Sequence, residues 1–271
     1  NGFLTSIIHE GDGTYNALTY ERDDLGNRTK TTTERGVASY GYDSESQLVT
    51  TSNSETGLAE NYNYDSLGNR LNDHLGTYVY DQKSQRLTED YRHLYFYDNN
   101  GNLTSKQEKG MTGNYTNYSY SSENQLVKID EFESNVKMKT VEYLYDALGR
   151  RIAKEIVDHK DTSKSFSRRY TYDGQEILAE FGENEATLAV YTHSTLRTDD
   201  VLAADIRSKK LANQTGSYFY LKDALGSVVD ITNSSGNLVQ HYAYSSFGEL
   251  LFIKDGNGNN VTENAPVKTS Y

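Results

Sequence analysis

The chain has 271 residues, with 24 tyrosines, one proline and no cysteine, a net charge of −12 and a mean hydropathy of −0.79. Without cysteine there is neither a disulfide framework nor a thiolate metal site, which is compatible with any compartment. The acidic balance argues against nucleic-acid binding and nonspecific attraction to anionic membranes, and no apolar stretch approaches the roughly twenty residues of a spanning helix.

Asn1-Gly2-Phe3-Leu4-Thr5 lacks the form of a signal peptide and opens inside a strand pattern, as expected for a fragment or processed piece of something longer. A phrase then appears in degenerate form at Tyr20-Glu21-Arg22-Asp23-Asp24-Leu25-Gly26-Asn27-Arg28. It recurs at Tyr40-Gly41-Tyr42-Asp43 and is clearest at Tyr62-Asn63-Tyr64-Asp65-Ser66-Leu67-Gly68-Asn69-Arg70-Leu71. Copies follow at Tyr78-Val79-Tyr80-Asp81, Tyr95-Phe96-Tyr97-Asp98, Tyr118-Ser119-Tyr120, Tyr143-Leu144-Tyr145-Asp146, Tyr170-Thr171-Tyr172-Asp173, Tyr218-Phe219-Tyr220 and Tyr242-Ala243-Tyr244. From Tyr42 to Tyr172 the second tyrosines are 22, 16, 17, 23, 25 and 27 residues apart, so the unit is fixed and its connections are elastic.

In Tyr-x-Tyr both rings lie on one face of an extended strand, because side chains alternate with period two. The Asp that follows can bond amides ahead of it, and the Gly three residues later accepts positive φ, which gives a four-residue turn. A short return arm such as Arg70-Leu71 completes one β-hairpin per repeat, about ten in all. An isolated hairpin is marginal, so the units must pair edge to edge. The single proline, Pro266, suits uninterrupted strand pairing.

The residues assigned to this architecture are Tyr40, Tyr42, Asp43, Tyr62, Tyr64, Asp65, Gly68, Tyr78, Tyr80, Asp81, Tyr95, Tyr97, Asp98, Gly101, Tyr143, Tyr145, Asp146, Gly149, Asp223, Gly226, Tyr242, Tyr244 and Gly248. The tyrosines are expected to form a cross-strand ladder. The residue between them varies from Asn63 and Thr171 to Val79, Phe96 and Leu144, so the second face is expected to be wet in some repeats and covered in others.

The phrase resembles the signature of the YD-repeat or Rhs family from about Leu18 to the end. The later lines Thr198-Asp199-Asp200-Val201-Leu202-Ala203, Leu221-Lys222-Asp223-Ala224-Leu225-Gly226-Ser227-Val228 and Tyr242-Ala243-Tyr244-Ser245-Ser246-Phe247-Gly248-Glu249 resemble its Rhs core region. Leu221 stands where members often carry His. The resemblance implies an all-β fold: tandem hairpins in a long twisted antiparallel sheet, part of a YD/Rhs β-shell. Residues 1–182 would be hairpin repeats and 183–271 a core-like region continuous with the same sheet, ending about where a self-cleavage motif begins.

The implied function is a noncatalytic segment of a secreted or cell-surface shell that encapsulates or presents a C-terminal toxin or effector. The alternative is a cell-surface adhesion or carbohydrate-binding protein. The implied partners are flanking parts of the shell or another chain through edge strands, the enclosed toxin, and, in the alternative, a glycan or cell-surface receptor.

No catalytic, cofactor-binding or metal site is expected. Asp255-Gly256-Asn257-Gly258-Asn259-Asn260 has the alternating oxygens of a calcium loop but Asn260 and Pro266 where such a loop needs Gly and a bidentate acid, so it reads as a hairpin tip. The histidines His9, His74, His93, His159, His193 and His241 show no metal-ligand spacing. The repeat aspartates sit identically before turns, whereas catalysis needs nonequivalent environments. The sequons at Asn27, Asn102, Asn114, Asn117, Asn213, Asn233 and Asn260 would matter only in a eukaryotic secretory pathway.

Overall fold

The computed structural model describes residues 2–11, 14–262 and 265–267, and of residues 11, 14 and 15 the backbone alone. Residues 268–271, where a cleavage motif was expected to begin, lie outside the described residues. Contacts divide the chain into two units, Asn1–Asn63 with Leu188–Tyr271, and Tyr64–Thr187.

In the first unit, β1 (Ser6–Gly11), β2 (Thr14–Arg22), β3 (Arg28–Thr33), β4 (Gly36–Tyr42), β5 (Leu48–Asn53) and β6 (Leu58–Asn61) form a six-stranded sheet in sequence order. Each neighbour is antiparallel. The short strands β7 (Asn63–Tyr64), at the boundary of the two units, and β8 (Arg70–Asn72), in the second, follow.

The second unit contains β9 (Val79–Tyr80), β10 (Leu87–Glu89), β11 (His93–Tyr97), β12 (Leu103–Glu108), β13 (Tyr115–Tyr120), β14 (Leu126–Glu133), β15 (Val136–Tyr145), β16 (Arg151–Asp158), β17 (Phe166–Asp173) and β18 (Glu176–Phe181). They too pair antiparallel in sequence order.

The chain then returns to the first unit with β19 (Thr187–His193), β20 (Val201–Ile206), β21 (Gly216–Lys222), β22 (Val228–Asn233), β23 (Leu238–Tyr244) and β24 (Leu250–Asp255), again antiparallel in order. The chain is therefore all-β, built of tandem hairpins in a long antiparallel sheet. Its only helical segments among the described residues are single 3-10 turns at Thr162–Lys164 and Glu183–Glu185.

Strand alternation decides what is buried. In the first sheet Leu18, Tyr20, Thr31, Thr51 and Glu60 turn inward. Among β19–β24 the buried set includes Tyr191, Ile206, Tyr218, Tyr220, Ile231 and Ala243. The residues between paired tyrosines face outward: Asn63, Ser119 and Thr171 are exposed, and so are the apolar Val79, Phe96, Leu144 and Phe219. Their apolarity does not signal a covering layer, because it suits the pleated surface of a strand whether or not that face is packed. Ala243 is the buried exception.

Candidate functional site

The rim turns are built by the aspartates. In the Asp65 turn the Asp65 amide donates to the Asn69 carbonyl at 2.9 Å and the Gly68 amide to the Asp65 carbonyl at 3.0 Å. The Leu67 and Asn69 amides both donate to Asp65 Oδ1 at 2.9 Å, and the Asn69 amide group donates to Oδ2. Gly68 has φ of 84°. The result is a three-residue loop with its glycine in the left-handed region, closed by Asp and the residue four positions on. Asp43, Asp98, Asp146 and Asp223 make the same pair of Oδ1 contacts. Gly101, Gly149, Gly226 and Gly248 hold the positive-φ position, which Ser46 takes in the Asp43 turn.

Asp81 closes a loop one residue longer, with Gln85 at positive φ, while Asp173 pairs with Glu176 across a tighter turn. Asp255 repeats the ordinary pattern with Asn257 and Asn259. Its oxygens are thus engaged as a turn cap rather than arrayed around an ion. Hydrogen bonds from the Asn69 and Asn102 side chains hold the Asp65 and Asp98 carboxyls below the ordinary range, and the Arg150 amide does so at Asp146. Such caps contribute fully above the ordinary carboxylate range and weaken as pH falls through the lowered value.

The two tyrosines of a phrase have different jobs. In most phrases the second sits at a register shift and its hydroxyl reaches back to a carbonyl on the return arm of the preceding hairpin. The pairs are Tyr42 to Arg28, Tyr97 to Leu87, Tyr145 to Leu126, Tyr172 to Arg151 and Tyr244 to Val228, at 2.7–3.0 Å. Each of these repeats is thereby stitched to the one before it.

First tyrosines vary. Tyr62 is buried with its ring edge-on to Phe247 at 4.9 Å, whereas Tyr78 and Tyr95 donate to the Asp73 and Asp90 carboxylates. Arginine is the frequent ring partner: Arg28 lies over Tyr40, Arg70 over Tyr78, Arg86 over Tyr97 and Arg151 over Tyr143. Tyr242 and Tyr244 stack in parallel. The ring contacts thus include guanidinium on ring as well as ring on ring. Tyr64 and Tyr80 are half-buried. Replacing Tyr145 by phenylalanine removes one stitch, and we expect a loss of about 0.5–1.5 kcal/mol in urea denaturation. A change within error would remove the hydroxyl from the account.

A second polar site was not foreseen. Asp230 in β22 is fully buried. Its carboxylate accepts from Arg35 Nη1 at 3.2 Å and from the Asn16 side-chain amide, and its Oδ1 lies 3.1 Å from Arg35 Nη2. His241 Nδ1 lies 2.7 Å from Asp230 Oδ1, and His241 Nε2 lies 2.7 Å from Glu55 Oε1. Burial opposes charge on the ring, but the hydrogen bonds to Asp230 and Glu55 outweigh it and raise the His241 pKa.

Nearby, buried Glu60 accepts from the Ser246 amide at 3.0 Å, the Ser246 hydroxyl at 2.6 Å and the Thr51 hydroxyl at 3.0 Å. Burial works against that carboxylate, yet the Ser246 hydrogen bonds hold it below its ordinary range. The Tyr20 hydroxyl accepts from the Ala224 amide at 3.0 Å.

These contacts form a seam between the β1–β6 sheet and the β19–β24 strands of the same unit. Among the described residues no strand pairing joins the two sides. A cavity of about 720 Å³ lies along the seam, lined by Asn16, Thr31, Arg35, Glu55, His241 and Tyr244 among others. The only part of the site with a sequence signal was the local pair Asp230↔His241, set by the hairpin turning at Asn233–Asn237. Glu55 lies 186 residues from His241, and nothing in the sequence links them.

The described residues include no group of three or more His, Cys, Asp or Glu side chains placed to hold a metal ion. Their polar chemistry is spent on turns, stitches and a seam, which defines a structural repeat module. The teneurin YD-shell family model matches residues 16–259, and the chain belongs to that family.

Among known proteins it is 24% identical over 239 residues to double-stranded DNA deaminase toxin A of Burkholderia cenocepacia (strain H111), covering 80% of this chain and 16% of that protein. It is 30% identical over 206 residues to the tRNA3(Ser)-specific nuclease WapA of Bacillus spizizenii, covering 72% of this chain and 8% of that protein. A crystal structure of TcdB2-TccC3-Cdc42 superposes with a TM-score of 0.49 at 11% identity, over 91% of this chain and 18% of that one. The chain thus spans less than a fifth of the curated relatives it matches.

Proposed function

We propose that this chain is a noncatalytic stretch of the wall of a secreted shell that encloses or presents a C-terminal toxin or effector. Membership of the YD-shell family carries the reading. It is supported by the names of the relatives, a deaminase toxin and a tRNA nuclease, whose matched share is a small part of each protein. It is supported too by the site chemistry, in which each repeat aspartate serves a turn and the buried acids are engaged by hydrogen bonds. The partners on this reading are flanking wall segments, joined through strand edges, and the enclosed effector.

The test is limited proteolysis of the full-length gene product, with and without mild denaturant, followed by mass spectrometry. We expect a C-terminal region protected while the wall is intact and digested once it opens. Equal digestion in both conditions, or a gene that encodes no further C-terminal region, would refute the reading.

A further inference from the structure

We propose that the seam between the β1–β6 sheet and the β19–β24 strands is a proton-operated latch, closed while His241 is an imidazolium between Glu55 and Asp230 and released when that ring becomes neutral. The geometry requires the charged ring. Both nitrogens face carboxylate oxygens at 2.7 Å, and a neutral imidazole has one N–H, so its other nitrogen would turn a lone pair toward a carboxylate. Losing the proton takes one of the two cations from beside the two carboxylates, in a site where Asp230 is wholly buried and His241 nearly so.

The groups around the ring come from every element packed on it. Asp230 stands on β22, Glu55 in the turn after β5 and Arg35 in the turn between β3 and β4, while Asn16 of β2 holds Asp230 from behind. From β24 come the Phe252 ring, 6.2 Å away, and Lys254, which pairs with His241 in register and lies over Phe252. Two cations, Arg35 and the imidazolium, balance two anions. Lys254 is engaged by the ring beneath it.

Elsewhere in the chain, neighbouring strands are held by ladders of backbone hydrogen bonds that do not titrate. At the seam the contacts are made by side chains, so loss of one charge acts where no ladder compensates. Behind it lie Asn16 Oδ1 and Thr31 Oγ1, buried without a protein partner and lining the cavity, so opening would hydrate groups that gain from water.

The sign follows from linkage. The folded pKa of His241 is raised, so its contribution is complete below the ordinary value of about 6.5 and is lost as pH rises through the raised one. The latch is closed below the ordinary imidazole value and opens as pH rises through the raised one.

The test follows backbone hydrogen exchange by NMR between about pH 6 and 9, corrected for intrinsic rates. The Ala224 and Ser246 amides, bonded to Tyr20 and Glu60, report the seam, and the Gly226 and Gly248 amides report the turns beside them. We expect seam protection to fall at least tenfold in one transition that tracks the His241 ring resonances, with the turn amides unchanged. In His241→Gln the transition should be absent. In Glu55→Gln, which alters only a turn residue, its midpoint should move to lower pH. Seam protection that persists through the His241 titration, an unchanged transition in His241→Gln, or an unmoved midpoint in Glu55→Gln would each overturn the proposal.

Discussion

Replacing Asp230 by alanine is expected to destabilise the protein by about 3–5 kcal/mol, the usual result of removing one partner from a buried ionic network. The side chain is fully buried, and its loss strands the Arg35 guanidinium and His241 Nδ1 together. Arg35 keeps some access to water, so it is the less severe site: Arg35→Ala should cost less than Asp230→Ala. The double variant should cost less than the sum of the two, with a coupling of about 0.5–3 kcal/mol. Urea denaturation followed by circular dichroism measures all three. A loss below about 1 kcal/mol for Asp230→Ala, or additive effects, would show that the carboxylate is not the centre of the seam.

What the sequence made legible was local. The phrase Tyr62 to Leu71 specifies strand, turn and return arm within ten residues, because alternation, an Asp that caps its own turn and a positive-φ glycine all act over fewer than five positions. The hidden part was whatever needs two distant hairpins. The ring of Tyr145 is visible as a strand residue, but its bond to the Leu126 carbonyl depends on how one hairpin packs on the last. Arginine after the turn, as in Arg28 and Arg70, recurs with the phrase and could have been read as the partner of the rings. The Glu55–His241 contact had no such periodicity. Both residues occur outside the repeat phrase, at positions where a polar residue would ordinarily face water. That the seam breaks the repeat pattern while the rims obey it is what separates a specialised contact from architecture.

In the Tyr64–Thr187 unit, Arg168→Met is expected to cost about 3 kcal/mol, at the lower end for a broken buried pair. Glu180 on β18 is fully buried and lies 2.7 Å from Arg168 Nε on β17, while the guanidinium sits over Phe166 and donates to the Ser167 carbonyl. Removing the cation leaves a carboxylate in the sheet interior. The cost stays at the lower end because Lys154 on β16 stands opposite Arg168 in register and feels the Glu180 charge, so it partly compensates. Burial, with Arg151 and Arg168 adding repulsion, lowers the Lys154 pKa. Taking Arg168 away should therefore raise it, a change readable by NMR of a labelled lysine. Replacing both partners in Arg168→Met/Glu180→Leu should recover most of the loss, since apolar side chains of similar volume fill a buried ionic site without a desolvation penalty. If the double variant were as unstable as Arg168→Met alone, the packing of the arginine on Phe166 rather than its charge would be what holds β17 to β18.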